Sequence, residues 1–194
     1  MSRALIVVDM QNSFFHPDGA MYQFRGAAIR ADEVVEANRQ AVEAAHAAGH
    51  LVVYTRHGYR TGYVDADRLF RQNLVPVIER GGLLHDTWDT ALLSDLSVHA
   101  SDVVVDKARF NAFHGTDLQR VLTSNGVTEL LVTGVLTNVC VESTVRNARE
   151  LDYDVVVLED CVSTRSERLH EASLESMQGG HFARVCPWTA VLGG

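Results

Sequence analysis

A thiol, a carboxylic acid and an amine each stand where an apolar stretch of the sequence ends. The thiol, Cys140, follows an apolar run that closes at Gly134, and a helix is predicted to begin close to it. The positive end of a helix stabilises a thiolate and can lower the pKa of a cysteine. This spacing predicts a nucleophile on a strand–turn–helix unit, although Cys140 taken alone is better explained as a small buried residue.

Asp9 and Lys107 close two other apolar runs, which span residues 4–8 and 103–106. Ligands of open α/β sheets bind beyond the carboxyl ends of strands. A single charge at a strand end is usually solvated, and Lys107 has the alternative of a structural ion pair with Asp106 or Asp9. An acid, a base and a thiol with complementary chemistry at three strand ends are harder to explain in this way, and they indicate a site at this edge of the sheet. In such a site Cys140 could serve as a nucleophile, Asp9 could carry its proton, and Lys107 would favour the thiolate.

Short, nearly continuous apolar runs predict the strands of a parallel sheet that is buried on both faces. They cover residues 4–8, 51–54, 103–105, 130–132 and 155–158, with a final strand at 182–186. Helices are predicted at residues 29–48, 141–151 and 167–178. A further helix is predicted to begin at a capping box at residues 116–119 and to end at residues 125–126. This alternation predicts one α/β domain over residues 1–194, a Rossmann-like, three-layer α/β/α fold with a mainly parallel sheet of roughly six strands.

Three motifs in this order resemble those of the isochorismatase-like cysteine hydrolases: residues 7–12, 107–113 and 134–141. The resemblance spans nearly the whole chain, and it implies that Asp9, Lys107 and Cys140 form a catalytic triad. It also implies a cis peptide bond between Val135 and Leu136. The backbone N–H groups of Leu136 and Cys140 are then the expected oxyanion hole.

The substrate that the resemblance implies is a small molecule. Residues 137–144 are closest to the ureidoacrylate branch, and the nearest group is the ureidoacrylate and N-carbamoylsarcosine-type amidohydrolases. The expected reaction is therefore C–N cleavage in an amide, carbamoyl or ureido compound through a thioester-type intermediate. Two alternatives stay open: an isochorismatase-type vinyl-ether hydrolase, and a catalytically idle, thiol-bearing binding or redox protein of the same fold. The intact acid, base and thiol argue against the idle protein.

Five side chains near the motifs and in the long loop are candidates for substrate binding: Gln11, Phe14, Trp88, Arg109 and Phe113. Gln11 could orient Asp9 or bind substrate, and an exposed loop position explains it equally well. Arg109 could bind a carboxylate through its planar fork or form a structural salt bridge. The three aromatic residues could line a small apolar pocket or belong to the core.

The residues after the second predicted strand argue against a metal. Nicotinamidases of the family carry an Asp-x-His-type site there. Residues 55–63 contain His57, but no aspartate stands two residues before it and no second histidine follows closely. One histidine does not make a divalent site, and no dinucleotide-binding glycine motif follows the first strand. No metal and no cofactor are therefore expected, and a role for His57 stays open.

The composition limits the partners of this chain. Its 194 residues are 46% hydrophobic and 22% charged with a formal net charge of -8, which argues against binding to nucleic acid or to an anionic membrane. Three cysteines without disulfide-framework spacing predict a reducing, cytoplasmic location. The resemblance implies a homo-oligomer, a dimer or tetramer. The irregular segment 58–101, with Tyr63, Phe70 and Trp88, is expected to provide pocket wall, subunit contact or both.

Overall fold

The apolar runs form the six strands of one parallel sheet in the computed structural model, which describes residues 2–193. The strands are β1 (Ser2–Val8), β2 (Leu51–His57), β3 (Val103–Lys107), β4 (Val127–Val135), β5 (Asp154–Ser163) and β6 (Arg184–Cys186). Their order across the sheet is β3-β2-β1-β4-β5-β6, and every neighbouring pair is parallel. The predicted fold class is confirmed.

Helices on both sides of the sheet connect the strands. They are α1 (Asn12–Phe15), α2 (Ala20–Arg25), α3 (Ala31–Ala47), α4 (Arg68–Asn73), α5 (Val75–Glu79), α6 (Leu118–Ser124), α7 (Glu142–Glu150), α8 (Glu167–Gly179) and α9 (Thr189–Leu192). Single 3₁₀ turns lie at Thr61–Tyr63 and Trp88–Thr90, and a π-helical turn lies at Thr137–Val141. Across residues 2–193, no helix has the length and apolar character needed to cross a bilayer.

The position of β1 inside the sheet explains why its sequence is apolar without interruption. Leu5 and Val7 pack on the side of the sheet that α3 covers, whereas Ala4, Ile6 and Val8 pack on the side of α6 and α7. All five side chains are completely buried, as expected for a strand that has helices on both faces. The polar residues of this part of the chain therefore lie at the strand ends.

The direction in which the chain adds strands reverses at β1, which lies between β2 and β4. A switch point of this kind opens a crevice beyond the carboxyl ends of the strands. Val8 is in register with Thr55 of β2 and Gly134 of β4, and His57 is in register with Lys107 of β3. Gly134 has a φ of 104°, and a Cβ atom there would lie 2.0 Å from the carbonyl oxygen of Val8. Only glycine fits this contact between β1 and β4.

The helix before β4 begins differently from the prediction. Helix α6 begins at Leu118, and the residue before it, Asp117, makes no side-chain capping hydrogen bond. The hydroxyl of Thr116 donates to the carbonyl oxygen of Ala112 at 2.6 Å. The same hydroxyl oxygen accepts from the backbone N–H of Leu118 at 3.3 Å. The predicted capping box is therefore wrong in its partner, because Thr116 bonds to the first residue of α6 and not to Gln119.

The segment 58–101 contains more regular structure than its sequence predicts. It forms α4, α5 and both 3₁₀ turns. Tyr63 and Phe70 are buried, and they cluster with Tyr59 at ring-centroid distances between 4.2 and 6.0 Å. These two aromatic residues therefore fold back onto their own chain. Their expected contribution to a subunit contact is wrong, because they form part of the core under α4 and α5.

Candidate active site

Asp9 and Lys107 form an ion pair at the carboxyl ends of β1 and β3. Lys107 Nζ lies 2.7 Å from Asp9 Oδ2, and both side chains are completely buried. The other carboxylate oxygen of Asp9, Oδ1, accepts a hydrogen bond of 2.7 Å from the hydroxyl of Thr55 on β2. Asp9 has a φ of 53°, in the left-handed region that few non-glycine residues adopt. The carboxylate is therefore fixed by donors from the two strands on one side of β1.

The ammonium group of Lys107 has three hydrogens, and each one finds an acceptor. Besides Asp9 Oδ2, it donates to the carbonyl oxygen of Arg109 at 3.1 Å and to His57 Nδ1 at 3.3 Å. Because Nδ1 accepts, the proton of the neutral ring lies on Nε2, which donates to the hydroxyl of Tyr59 at 3.0 Å. Burial and the charge of Lys107 lower the pKa of His57, so the ring is neutral. His57 therefore positions Lys107, a role that the sequence left open.

Asp9, His57 and Cys140 lie close enough together to be tested as a metal site. One potential ligand atom of each residue lies within 4.8 Å of the others. Lys107, however, donates to the same Asp9 carboxylate and to the same ring of His57, and its charge repels a cation placed between them. The residues present therefore do not fit a divalent metal, and the metal-free site expected from the sequence stays a prediction.

Cys140 lies in the π-helical turn Thr137–Val141, which joins β4 to α7. The hydroxyl of Thr144 on α7 donates to the carbonyl oxygen of Cys140 at 2.7 Å. The hydroxyl of Thr137 is hydrogen-bonded to Nδ1 of His170 on α8 at 3.0 Å, with both groups buried. Turns of this kind are frequent at functional sites. The turn that carries the thiol is therefore held from two helices.

The peptide bond between Val135 and Leu136 is cis, the conformation that the resemblance implies. The carbonyl oxygen of Leu136 accepts hydrogen bonds from the backbone N–H groups of Val139 at 2.9 Å and Val141 at 3.2 Å. The backbone of Leu136 thus starts the cysteine turn. The N–H groups of Leu136 and Cys140 stay the predicted oxyanion hole.

Burial controls the acidity of the Cys140 thiol. The residue is 6% exposed. Loss of solvent raises the pKa of the thiol to about 12; the charge of Lys107 lowers the pKa, and the Asp9 carboxylate raises it further. The lowered pKa expected from the sequence is therefore wrong for the resting site, because burial outweighs the nearby positive charge. The thiol is therefore protonated at neutral pH.

The resting thiol is expected to form no thiolate across the neutral range. A thiol whose pKa is raised to about 12 stays protonated below that pH. Thiolate absorbance at about 240 nm should therefore show no step from Cys140 between about pH 6 and about pH 9. The absorbance of the Cys140→Ala variant is subtracted from that of the wild type. This subtraction removes the signals of Cys161 and Cys186, which both proteins contain. A step with a midpoint below about pH 8 would contradict the buried, neutral thiol.

Cys140 lies on the wall of a cavity of about 260 Å³. The lining is largely apolar and includes Phe14, Phe110 and Leu136. Phe110 is 55% exposed, and its ring stacks on His57 at a centroid distance of 6.0 Å. Of the five side chains proposed for substrate binding, Phe14 is the one that lines this cavity. The thiol therefore faces a space that suits a small molecule with apolar parts.

Most residues that line this cavity were not singled out for substrate binding, among them Arg25, Phe110 and Arg165. Phe70, Leu74 and Leu83 also line it, so the segment 58–101 contributes to the wall of the cavity, as expected. Phe110 lies in the same short loop as the candidate Phe113, so the aromatic character of the loop was a valid signal. Neither arginine belongs to a motif. Arg25 ends α2 and Arg165 follows β5, so the fold alone brings them to one cavity.

Gln11 is completely buried, and the structure uses both ends of its amide group. Its Nε2 donates to the carbonyl oxygens of His57 at 3.2 Å and Thr90 at 2.9 Å, and its Oε1 accepts from the backbone N–H of His57 at 2.8 Å. These bonds join the end of β2 to the 3₁₀ turn at Trp88–Thr90. The interpretation of Gln11 as a substrate ligand is therefore corrected: it positions the strand ends.

Arg109 also differs from its predicted role. Its Nη1 donates to the carbonyl oxygens of Asp65 at 2.9 Å and Ala108 at 2.6 Å, and its own carbonyl oxygen accepts from Lys107. It does not line the cavity of Cys140 in the described residues. Arg109 therefore shapes the loop after β3, and its assignment as a carboxylate ligand is corrected.

Trp88 and Phe113 lie away from the cavity of Cys140. Trp88 is 51% exposed and packs edge-on against His16 at a centroid distance of 4.9 Å. Phe113 stacks on Tyr153 at a centroid distance of 6.0 Å, and it packs against the core on the α6 and α7 side of the sheet. Their placement in a substrate pocket of this chain is therefore corrected, because their backbone directs both rings elsewhere.

The fold and the site together define a class of protein: a parallel α/β sheet that brings an acid, an amine and a thiol to its switch point. The isochorismatase domain model matches residues 3–190. Ureidoacrylate amidohydrolase RutB of Acinetobacter baylyi is 34% identical over 187 residues, which cover 90% of this chain and 76% of that protein.

Solved structures show the same similarity over nearly full length. An isochorismatase family protein from Desulfovibrio vulgaris has a TM-score of 0.88 and 29% identity, with coverage of 98% of this chain and 96% of that one. N-carbamoylsarcosine amidase from Thermoplasma acidophilum has a TM-score of 0.76 and 27% identity, with coverage of 97% of each chain. The chain described here belongs to the isochorismatase family. It is a hydrolase, and the predicted enzyme class is confirmed.

Proposed function

We propose that this chain is a cysteine-dependent hydrolase that cleaves a C–N bond in a small amide, carbamoyl or ureido compound. One observation carries the proposal: Cys140 Sγ lies within 4.8 Å of an Asp9 carboxylate oxygen, on the wall of a small cavity. A nucleophile and its proton acceptor are thus adjacent where substrate can reach them. The ureidoacrylate amidohydrolase and N-carbamoylsarcosine amidase relatives support C–N cleavage.

In the first half of the reaction, Cys140 Sγ forms a bond to the substrate carbonyl carbon while its proton passes to Asp9. The π electrons of the carbonyl move to oxygen, and the N–H groups of Leu136 and Cys140 hold this oxyanion. When the carbonyl re-forms, the C–N bond breaks and the nitrogen leaves with the bonding pair. It takes the proton from Asp9, and a thioester-type intermediate remains on Cys140.

In the second half, water attacks the carbonyl carbon of the intermediate. Asp9 takes a proton from this water, and the C–S bond breaks when the carbonyl re-forms. The sulfur leaves with the bonding pair and receives the proton from Asp9. The products are an acid and an amine or ammonia, and Cys140 and Asp9 are back in their starting protonation states. One carboxylate thus serves both halves as base and then as acid.

Lys107 provides a permanent positive charge beside these proton transfers. Burial lowers its pKa, but Asp9 and Cys140 raise it, with a net increase. The ammonium group therefore stays charged and lowers the pKa of the thiol against the effect of burial. Proton transfer from Cys140 to Asp9 leaves the negative charge on sulfur, where Lys107 stabilises it.

A substrate panel tests the proposed reaction against its alternatives. We expect release of amine or ammonia from ureido, carbamoyl or primary amide compounds, and none from the Cys140→Ala variant. Isochorismate is assayed in parallel for release of pyruvate. Pyruvate release without C–N cleavage would favour a vinyl-ether hydrolase. No turnover of either kind, together with reversible oxidation of Cys140, would favour the idle binding or redox protein.

The proposal includes assembly and location. In the segment 58–101, the aliphatic side chains of Val64, Leu69 and Val75 are 69%, 55% and 43% exposed. Apolar side chains at the surface are suited to contact with a second copy of the chain, so the expected homo-oligomer remains a proposal that these residues support. The three cysteines are free, which supports the proposed reducing, cytoplasmic location.

A further inference from the structure

The carboxylate of Asp9 is held by a different donor on each of its two oxygens. Lys107 Nζ donates to Oδ2 at 2.7 Å, and the hydroxyl of Thr55 donates to Oδ1 at 2.7 Å. A carboxylate rotates readily about its Cβ–Cγ bond, because that torsion is broad and roughly two-fold. Lys107 alone would leave this rotation open, since it could bind either oxygen. The two donors together therefore fix the plane of the carboxylate.

Thr55 also holds the backbone of the residue that carries this carboxylate. Its hydroxyl oxygen accepts from the backbone N–H of Asp9 at 3.2 Å, while its hydrogen points to Oδ1. Because a charged carboxylate can only accept, the direction of the bond to Oδ1 is fixed. Asp9 has a φ of 53°, a conformation that costs free energy and persists only where neighbouring groups enforce it. One hydroxyl thus anchors both the main chain and the side chain of Asp9.

The position of Thr55 on β2 explains how it reaches Asp9. Thr55 is completely buried, and it is in register with Val8 of β1, the residue before Asp9. His57 follows two residues later on the same face of the strand, and its register partner is Lys107 of β3. The end of β2 therefore presents one anchor for the acid and a second anchor for the amine.

We propose that Thr55 is a positioning residue that keeps the Asp9 carboxylate turned toward the thiol of Cys140. Cys140 Sγ lies within 4.8 Å of a carboxylate oxygen, and the reaction needs this carboxylate to take up and release a proton twice. A carboxylate that rotates away after one transfer is misplaced for the next. In the part of the chain that the structure describes, Thr55 does not line the cavity, so it acts through Asp9. The inference rests on the proposed function for the role of Asp9.

Substitutions at Thr55 separate the hydroxyl from the shape of the side chain. Thr55→Val keeps the branched shape without the hydroxyl, and Thr55→Ser keeps the hydroxyl. For a ureido or amide compound that the wild type cleaves, Thr55→Val should lower kcat by about 10- to 100-fold, as expected for a hydrogen bond to a charged group. KM should change by less than about threefold, because Thr55 acts on both halves of the reaction through Asp9 and not on binding. Thr55→Ser should keep kcat within about threefold of the wild type.

Thr133→Val is the matched control. Thr133 is a completely buried threonine on β4, and its hydroxyl faces the carbonyl oxygen of Ile6 at 3.5 Å rather than a carboxylate. This variant should keep wild-type kcat, and thermal unfolding followed by circular dichroism verifies that each variant is folded. Thr55→Ala also lacks the hydroxyl, and it replaces Thr55→Val if valine prevents folding. An unchanged kcat without the hydroxyl would overturn the inference, as would an equal loss in Thr55→Ser or Thr133→Val.

Crystal structures of the wild type and the Thr55 variants separate this inference from the proposed function, because they need no turnover. The Asp9 carboxylate should keep its wild-type orientation in Thr55→Ser and turn by more than about 30° about the Cβ–Cγ bond in the hydroxyl-free variant. If the wild type cleaves no C–N bond but the carboxylate turns, the reaction assignment fails and the anchoring by Thr55 stands. If the carboxylate keeps its orientation without the hydroxyl, the positioning role is refuted whatever the rates.

Discussion

Turnover should be lost when Cys140 is replaced by alanine, while the fold is retained. The substitution removes the nucleophile, and loss of the nucleophile from a catalytic unit lowers kcat by about 10,000-fold or more. Because the thiol makes no ion pair and alanine fits the same space, the unfolding free energy should change by only about 1 kcal/mol. Steady-state hydrolysis and thermal unfolding measure the two effects. Cys140→Ser should also be inactive, since a hydroxyl is a far weaker acid than a thiol.

Cys161→Ala provides the control for the loss of a buried thiol. Cys161 is completely buried, in the core on the α3 side of the sheet, and it does not line the cavity of Cys140. This variant should keep wild-type kcat with a similar small change in stability. Substantial activity in Cys140→Ala, or equal losses in the two alanine variants, would refute Cys140 as the nucleophile.

The second large effect is expected at the Asp9 and Lys107 pair. Asp9→Asn leaves the Lys107 ammonium group buried beside a neutral amide, and Lys107→Met leaves the Asp9 carboxylate without its cation. Breaking a buried ion pair by removing one partner destabilises a protein by about 3–5 kcal/mol. Each single variant should therefore unfold more easily and also lose most of its activity. Urea denaturation and single-turnover kinetics measure the two quantities.

The double variant Asp9→Asn with Lys107→Met separates stability from catalysis. Both charges are then absent, so its unfolding free energy should recover part of the loss seen in either single variant. Its rate should stay as low as that of the slower single variant, because residues that act as one unit do not give additive losses. Independent, multiplicative rate losses would show that Asp9 and Lys107 do not work together.

The strand ends explain how much of this site could be predicted. Asp9, Lys107 and Cys140 are far apart in the sequence, but each follows or ends an apolar run. A parallel sheet places the carboxyl ends of its strands along one edge, so periodicity and residue type were sufficient to group them. The same information identifies neither the partners of Lys107 nor the neutral ring of His57, since those depend on side-chain directions across β2 and β3.

The residues that line the cavity were harder to predict, because a loop does not fix the direction of its side chains. Phe110 and Phe113 lie in one loop, yet Phe110 lines the cavity and Phe113 packs on Tyr153. The pKa of the Cys140 thiol was predicted wrongly for a related reason. The sequence shows the nearby helix end, which is a local feature, but the burial of Cys140 depends on the whole fold. Local patterns therefore predicted that Asp9, Lys107 and Cys140 lie close together, and they failed for properties that depend on packing.

The contact between Gly134 and Val8 fixes the distance between β1 and β4 at the site. Asp9 follows Val8 directly and the cysteine turn follows Gly134 closely, so a side chain at position 134 would drive the two strands apart and change the distance between Asp9 and Cys140. Side chains that line the cavity of Cys140 belong mainly to connecting segments, such as Phe14 on α1 and Arg25 on α2. The sheet backbone therefore sets the distance between Asp9 and the cysteine turn, whereas the connecting segments set the shape of the cavity beside them.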